Sequence, residues 1–220
     1  MTLATGMQVG STTSAGVTGL VLAGGLGRRM GGVDKGLQLL AGRPMDAHAI
    51  ERLRPQVDAL LINANQNLGH YAAFGHPVVP DSIEGFAGPL AGLERGLATA
   101  ETPLVATVPC DSPFLPLDLV ERLRNGLSAA SADLAVARTG TQPHPVFCLC
   151  RRDLHSHLAA YLAGGGRKID HWYATLAVVE VDFSDEAAAF DNINTLVELQ
   201  SAAAVGTADG ARGASSREGR

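Results

Sequence analysis

Cysteine, net positive charge and long apolar runs are all scarce in this chain, and each scarcity narrows what it can be. Three cysteines in 220 residues, Cys110, Cys148 and Cys150, are too few and too odd in number for a disulfide framework. Cys148 and Cys150 would share one face of a strand, with His144 nearby, but buried reduced thiols account for that pattern and no zinc site is expected. A formal net charge of −5 argues against the broad basic surface of a general nucleic-acid binder. No stretch approaches the roughly 18 uninterrupted apolar residues of a membrane span, so no membrane association is expected. Residues 1–16 are rich in Thr, Ser and Gly and have neither a basic start nor an apolar centre, so they do not read as a secretory signal, and a cytoplasmic location is expected. Internal repeats are missing as well.

What is present is a globular composition, 46% apolar and 18% charged, over a length suited to one α/β domain with a full core. The expected organisation is a flexible segment over 1–16, a single domain over 17–204, and a disordered tail over 205–220, where apolar residues run out.

The domain is organised around VTGLVLAGGLGRRMGGVDKGLQLL, from Val17 to Leu40. Its apolar start reads as a parallel strand buried on both faces. Five glycines then fall within nine positions (24, 25, 27, 31 and 32), joined by Arg28, Arg29 and Lys35. Glycines let the backbone approach a ligand closely and the cations neutralise it, which suits a polyphosphate. Neither familiar phosphate loop is written here. Met30 stands where a dinucleotide fingerprint needs a third small residue, and Gly36 follows Lys35 where a Walker A loop needs Ser or Thr.

Further along, helical spacing follows Pro44, and Val57 to Asn63 reads as a strand ending in the polar Asn63-Ala64-Asn65. Ligands of α/β folds sit at such carboxyl ends, which makes Asn63 a candidate ligand contact, with a simple turn role as the alternative. A short edge strand with prolines delivers Asp81 at its end. Gly88 to Gly92 opens a helix. Pro103 to Val108 is a continuous apolar strand running into Pro109-Cys110-Asp111-Ser112-Pro113; the two prolines restrict Asp111 on either side. A single rigid carboxylate there suits magnesium, which takes one or two protein carboxylates plus substrate phosphates; the alternative is a helix cap. Strands are expected over 133–138, 146–150 and 177–181, with a polar turn before His144-Pro145. A helix carrying Leu154, Leu158 and Leu162 should end at Gly164–Gly166 beside the basic Arg167 and Lys168. Whether His144, Arg167 and Lys168 contact ligand or only build structure stays open at this point. A closing helix is expected near 196–203.

Taken together, LAGGLGRRMGGVDKG (Leu22 to Gly36), GPLAG (Gly88 to Gly92), PCDSP (Pro109 to Pro113) and DNINT (Asp191 to Thr195) resemble the molybdenum cofactor guanylyltransferases, which make molybdopterin guanine dinucleotide. The resemblance spans about Thr18 to Gln200. It implies a Rossmann-like nucleotidyltransferase fold, with a mostly parallel central sheet and helices on both faces. GTP and Mg2+ would be required, GMP would be joined to the terminal phosphate of molybdopterin, and pyrophosphate would leave. By motif position, Leu22, Ala23, Gly24 and Gly25 line the GTP site, and Lys35 lies on its phosphates. Asn63 and Asp81 match guanosine-binding positions, Asp111 matches the magnesium ligand, Arg29 shares the basic loop, and Asn192 and Asn194 match residues on the molybdopterin side. The resemblance also implies transient contact with cofactor-delivery proteins or target molybdoenzymes. Rival readings are the cytidylyltransferase of the same cofactor, whose family usually carries alanine where Gly24 stands, and a sugar-1-phosphate nucleotidyltransferase. A non-catalytic nucleotide-binding protein is a third, against which the intact Asp111 and Lys35 argue.

Overall fold

The computed structural model describes residues 15–23, 35–83 and 88–190. The glycine-rich loop from Gly24 to Asp34, the DNINT motif and the expected closing helix lie outside the described residues.

The first strand, β1 (Val17–Leu22), enters the centre of a seven-stranded sheet. A 3-10 turn at Lys35–Leu37 leads into a small hairpin, β2 (Leu39–Leu40) with β3 (Arg43–Pro44). Helix α1 (Met45–Leu53) starts directly after Pro44, where a residue lacking an N–H costs nothing. Next come β4 (Ala59–Asn63), the one-turn α2 (Leu68–Ala72), β5 (Val78–Val79), α3 (Pro89–Thr99), β6 (Leu104–Pro109) and α4 (Leu119–Ala130). The remainder is β7 (Leu134–Thr139), β8 (Gln142–Arg151), α5 (His155–Ala163), α6 (Ile169–Tyr173), β9 (Val178–Asp182) and a 3-10 segment over Ser184–Phe190.

The sheet order is β5-β4-β1-β6-β8-β7-β9. All neighbours pair in parallel except at β8, which runs antiparallel to both β6 and β7. The expected mostly parallel sheet is therefore observed, with one reversed strand. That strand is longer than its apolar run suggests. Gln142, Pro143 and His144, expected as turn and approach, are already paired with β7 across a two-residue turn; Pro145 belongs to the same strand, within the register shift that follows between Val136 and Ala137. Hydrogen bonding along the hairpin overrides the polar look of these residues.

Strand alternation sorts side chains into two cores. Val17 and Val21 of β1 pack with Ala49, Ile50 and Leu53 of α1 and Leu119 and Leu123 of α4 on one face. Leu20 packs with Leu90, Leu93 and Leu97 of α3, Leu158 and Leu162 of α5 and Trp172 of α6 on the other. Each fully buried branched side chain contributes about 1.5–3 kcal/mol of hydrophobic stabilisation, so both sheet faces are covered by necessity. Cys148 and Cys150 lie side by side in the second core as thiols, and Cys110 is a buried thiol outside any disulfide in the first. The Cys148 contact and burial push the Cys150 thiol well up, which keeps it protonated and inert.

Candidate functional site

Register brings the site together. Leu22 stands level with Asn63 on one side and Pro109 on the other, and Asn63 stands level with Val79. The carboxyl ends of β5, β4, β1 and β6 therefore form one edge, and the polar residues just past each strand project from it. The end of β1 is fixed on both sides: the Ala23 N–H donates to the Asn63 carbonyl at 2.8 Å, and the Cys110 N–H donates to the Leu22 carbonyl at 3.1 Å. Gly24, Gly25 and Arg29 follow immediately and lie outside the described residues.

Asn63 is buried at the end of β4, and its Nδ2 donates to the Val79 carbonyl at 3.0 Å and to Asp81 Oδ1 at 2.8 Å. Asn65 completes the arrangement: its Nδ2 donates to Asp81 Oδ2 at 2.9 Å, and its Oδ1 accepts the Asp81 N–H at 2.8 Å. Both carboxylate oxygens of Asp81 are thus held by amides, which fixes the side chain. Asn63 does more than turn the chain, and Asn65 is a residue that strand reading passed over. Its signal was the Asn-x-Asn spacing, which sends both amides toward the same side.

Helix α3 closes against this network. Gly88, at its cap, has φ +74, a conformation that suits glycine. Gly92 one turn later sits so close to β1 and β4 that a Cβ there would lie 2.3 Å from Asn63 Oδ1 and 2.7 Å from Leu22 Cδ2. Ser82, beside Asp81, donates to Glu94 Oε2 at 2.5 Å, and Glu94 Oε1 is bonded to His155 Nε2 at 2.9 Å. The buried Glu94 thereby ties the start of the 82 loop to α3 and α5.

Past β6, Asp111 is held in a turn and is largely buried, while α4 begins only at Leu119 with Asp118 at its cap position. Neither Asp111 nor Ser112 caps that helix. Lys35, 76 residues away in sequence, donates from Nζ to Asp111 Oδ2 at 3.1 Å, with the lysine side chain 28% and the aspartate side chain 11% exposed. The lysine end of this ion pair is reached by water. A ligand entering from that side can therefore compete for the ammonium.

The reversed half of the sheet reaches the same edge through the β7–β8 turn. His144 stacks on Phe190 with ring centroids 4.8 Å apart, and its Nε2 is 2.7 Å from Thr139 Oγ1. The segment ending at Phe190 is clamped by Arg122 of α4, which donates to both oxygens of Asp185 at 2.8 and 3.0 Å and lies 3.9 Å over the Phe183 ring. These contacts pull the Asp185 carboxyl below its usual range, the Arg122 hydrogen bond being the largest cause. Asn192 and Asn194 follow Phe190 by two and four residues and lie outside the described residues. Arg167 donates to the Leu162 and Gly166 carbonyls at 2.8 and 2.6 Å, the position of a side chain capping the end of α5.

The donor chemistry of the edge fits magnesium in one specific way. Among the described residues no group of three or more ligating side chains is assembled. One fixed carboxylate beside an exchangeable ammonium fits a hard cation carried in with substrate phosphates.

Comparison with known proteins follows this geometry. Residues 19–177 match the family model of the MobA-like NTP transferase domain. The molybdenum cofactor guanylyltransferase of Bordetella petrii is 56% identical over 188 residues, covering 84% of this chain and 95% of that protein. The protein of the same name from Cupriavidus taiwanensis is also 56% identical, over 189 residues, with 84% and 94% covered. Among solved structures, molybdopterin-guanine dinucleotide biosynthesis protein A from Archaeoglobus fulgidus superposes with a TM-score of 0.73 at 23% identity, covering 87% of this chain and 99% of that one. A nucleotidyl transferase from Methanothermobacter thermautotroptrophicus gives 0.69 at 17% identity, covering 88% and 99%. At these identities both structures speak for the fold.

Proposed function

This chain belongs to the MobA-like NTP transferase domain family, and on that premise we propose that it is a molybdenum cofactor guanylyltransferase. It transfers GMP from GTP to the terminal phosphate of molybdopterin and releases pyrophosphate. The relatives that carry this name match most of the chain at 56% identity and support the choice of guanine and of the pterin acceptor. The observation that carries the chemistry is the meeting of Lys35 and Asp111 at 3.1 Å, on the same strand edge as the amide-held Asp81.

The residues divide the work. Leu22, Ala23, Gly24 and Gly25 bind the nucleotide. Asp81, with both oxygens oriented by Asn63 and Asn65, accepts from guanosine donors, and it discriminates because an unmatched base leaves a fixed carboxylate unsatisfied. Lys35 moves its ammonium from Asp111 to the triphosphate when the nucleotide arrives, and Arg29 adds a second positive charge. Asp111 would hold Mg2+, which would supply positive charge to the phosphates and to the leaving pyrophosphate. The acceptor phosphate is already anionic, so one of its oxygens attacks the α-phosphorus of GTP without a strong general base. The protein's task is to bring two polyanions together in line and offset their charge. Asn192 and Asn194 serve the acceptor. The reaction is cytoplasmic on this reading, with transient hand-over to cofactor-delivery proteins or target molybdoenzymes.

The test is a nucleotide panel (GTP, CTP, ATP and UTP, each with Mg2+) assayed for pyrophosphate release with purified molybdopterin. GTP should be preferred, with release strictly dependent on the pterin. Preference for CTP would move the chain to the cytidylyl branch, and release with a sugar phosphate in place of the pterin would overturn the acceptor.

A further inference from the structure

Asp46 is completely buried in the first turn of α1, and nothing in the reaction uses it. A carboxylate is expensive to hold away from water unless hydrogen bonds replace its hydration. Its Oδ2 accepts a hydrogen bond from His70 Nε2 at 2.9 Å. His70 belongs to α2, and its ring meets the Tyr71 and Phe74 rings edge-on at 5.3 Å. Tyr71 is itself completely buried.

What lies on this buried polar floor is the turn that carries Lys35. Gly36 is packed so tightly over it that a Cβ would stand 2.9 Å from the Tyr71 hydroxyl oxygen and 3.3 Å from both Asp46 Cβ and Oδ2. Lys35 is the adjacent residue, its Cα about 3.8 Å away across one planar peptide. The height of Gly36 above the floor therefore sets the origin of the Lys35 side chain. From there its ammonium must reach Asp111 in one state and, on the reading of the site given above, the triphosphate in the other. A shift of the turn forces the lysine stem into less favourable rotamers to keep either contact.

We propose that Asp46 and His70 are positioning residues for Lys35: the hydrogen bond of the partly exposed imidazole to the buried acid fixes the turn Lys35–Leu37 and so places the phosphate-binding lysine. This rests on Lys35 being a triphosphate ligand. The two residues come from different elements, α1 and α2, so the pair also locks those elements together beneath the nucleotide edge.

The test is a double-mutant cycle on the full chain. Asp46→Ala and His70→Ala are each made with Lys35 present and in a Lys35→Ala background, and the equilibrium Kd for GTP with Mg2+ is measured alongside the melting temperature. With Lys35 present each variant should bind GTP about tenfold more weakly; in the Lys35→Ala background the same substitutions should change Kd less than about twofold, since the group they position is gone. His70→Gln keeps an N–H donor in a similar place and should recover most of the affinity. Equal weakening in both backgrounds, or unchanged affinity for both variants while Lys35→Ala weakens binding, overturns the positioning role alone. If Lys35→Ala itself leaves GTP affinity intact, the reading of the lysine fails, and the proposal with it. Should Asp46→Ala not fold, His70→Ala decides, because His70 is one-third exposed and tolerates truncation.

Discussion

Substituting alanine for Gly92 adds a single methyl group and should cost more in nucleotide binding than in stability. The new Cβ would stand 2.3 Å from Asn63 Oδ1 and 2.7 Å from Leu22 Cδ2, distances that no packed structure keeps. Overpacking of this kind costs about 1–3 kcal/mol, but alanine is favoured over glycine in a helix interior by about 1 kcal/mol. The net loss of stability is then about 1 kcal/mol, a fall in Tm of roughly 2–4 °C for a chain of this size. Relief comes by moving Asn63, whose amide is bonded to the Val79 carbonyl and to Asp81. A hydrogen bond to a charged group is worth about 1.5–3 kcal/mol, so an Asp81 that loses one of its two amide holders should bind guanosine at least about tenfold more weakly. Gly96→Ala is the control. Its Cβ would meet the side chain of Leu20, in the core and away from the nucleotide edge, so it should lower Tm without raising KM. Steady-state kinetics with varied GTP, together with thermal melts, separate the two. A Gly92→Ala enzyme with unchanged KM for GTP and a Tm shift like that of Gly96→Ala would refute the claim that this glycine guards the Asn63–Asp81 network.

Three further outcomes are expected. Asp111→Asn should lower kcat by about a hundredfold, equivalent to about 3 kcal/mol, while GTP affinity measured without turnover changes far less; unchanged turnover at saturating Mg2+ would remove Asp111 from the chemistry. The Asn192→Ala, Asn194→Ala double variant should lose affinity for molybdopterin and keep it for GTP. If it merely melts earlier with both affinities intact, those amides only shape the chain. Burial and the neighbouring Arg54 lower the pKa of His76 below its ordinary 6.5, so the unfolded chain binds this proton more readily than the folded one. Stability from this residue is then present above pH 6.5 and is lost as pH falls from there through the lowered folded value. His76→Gln should flatten that part of the pH–Tm profile, and an identical profile would show that His76 does not contribute.

Local chemistry made part of this protein legible from residues alone. The apolar run over Val17 to Leu22 marks a strand buried at the centre of the sheet, because a dry segment that short needs neighbours on both sides; the glycines and cations after it lie outside the described residues. Prolines on either side of Asp111 identify a fixed carboxylate, since they restrict φ of their own residue and the conformation of the one before. The helical spacings after Pro44, Pro89 and Leu154 and the two-sided apolar strand of β6 follow from periodicity, and the observed elements agree with them to within a few residues.

Contacts between distant segments decided the rest, and these depend on register and packing that no local pattern carries. Asn65 looks like a turn residue until the pairing of β4 with β5 places it opposite Asp81. Lys35 and Asp111 are 76 residues apart and meet because β1 and β6 are neighbours with Leu22 level with Pro109. The reversal of β8 and its extension through Pro143 and Pro145 come from hydrogen bonding along a hairpin, where polar composition misleads. Asp46 stands in the first turn of α1, where the helix dipole favours an acid even at the surface. It is buried because α2 and the turn bearing Lys35 close over it, bringing a histidine to compensate a charge that the sequence alone would have left in water.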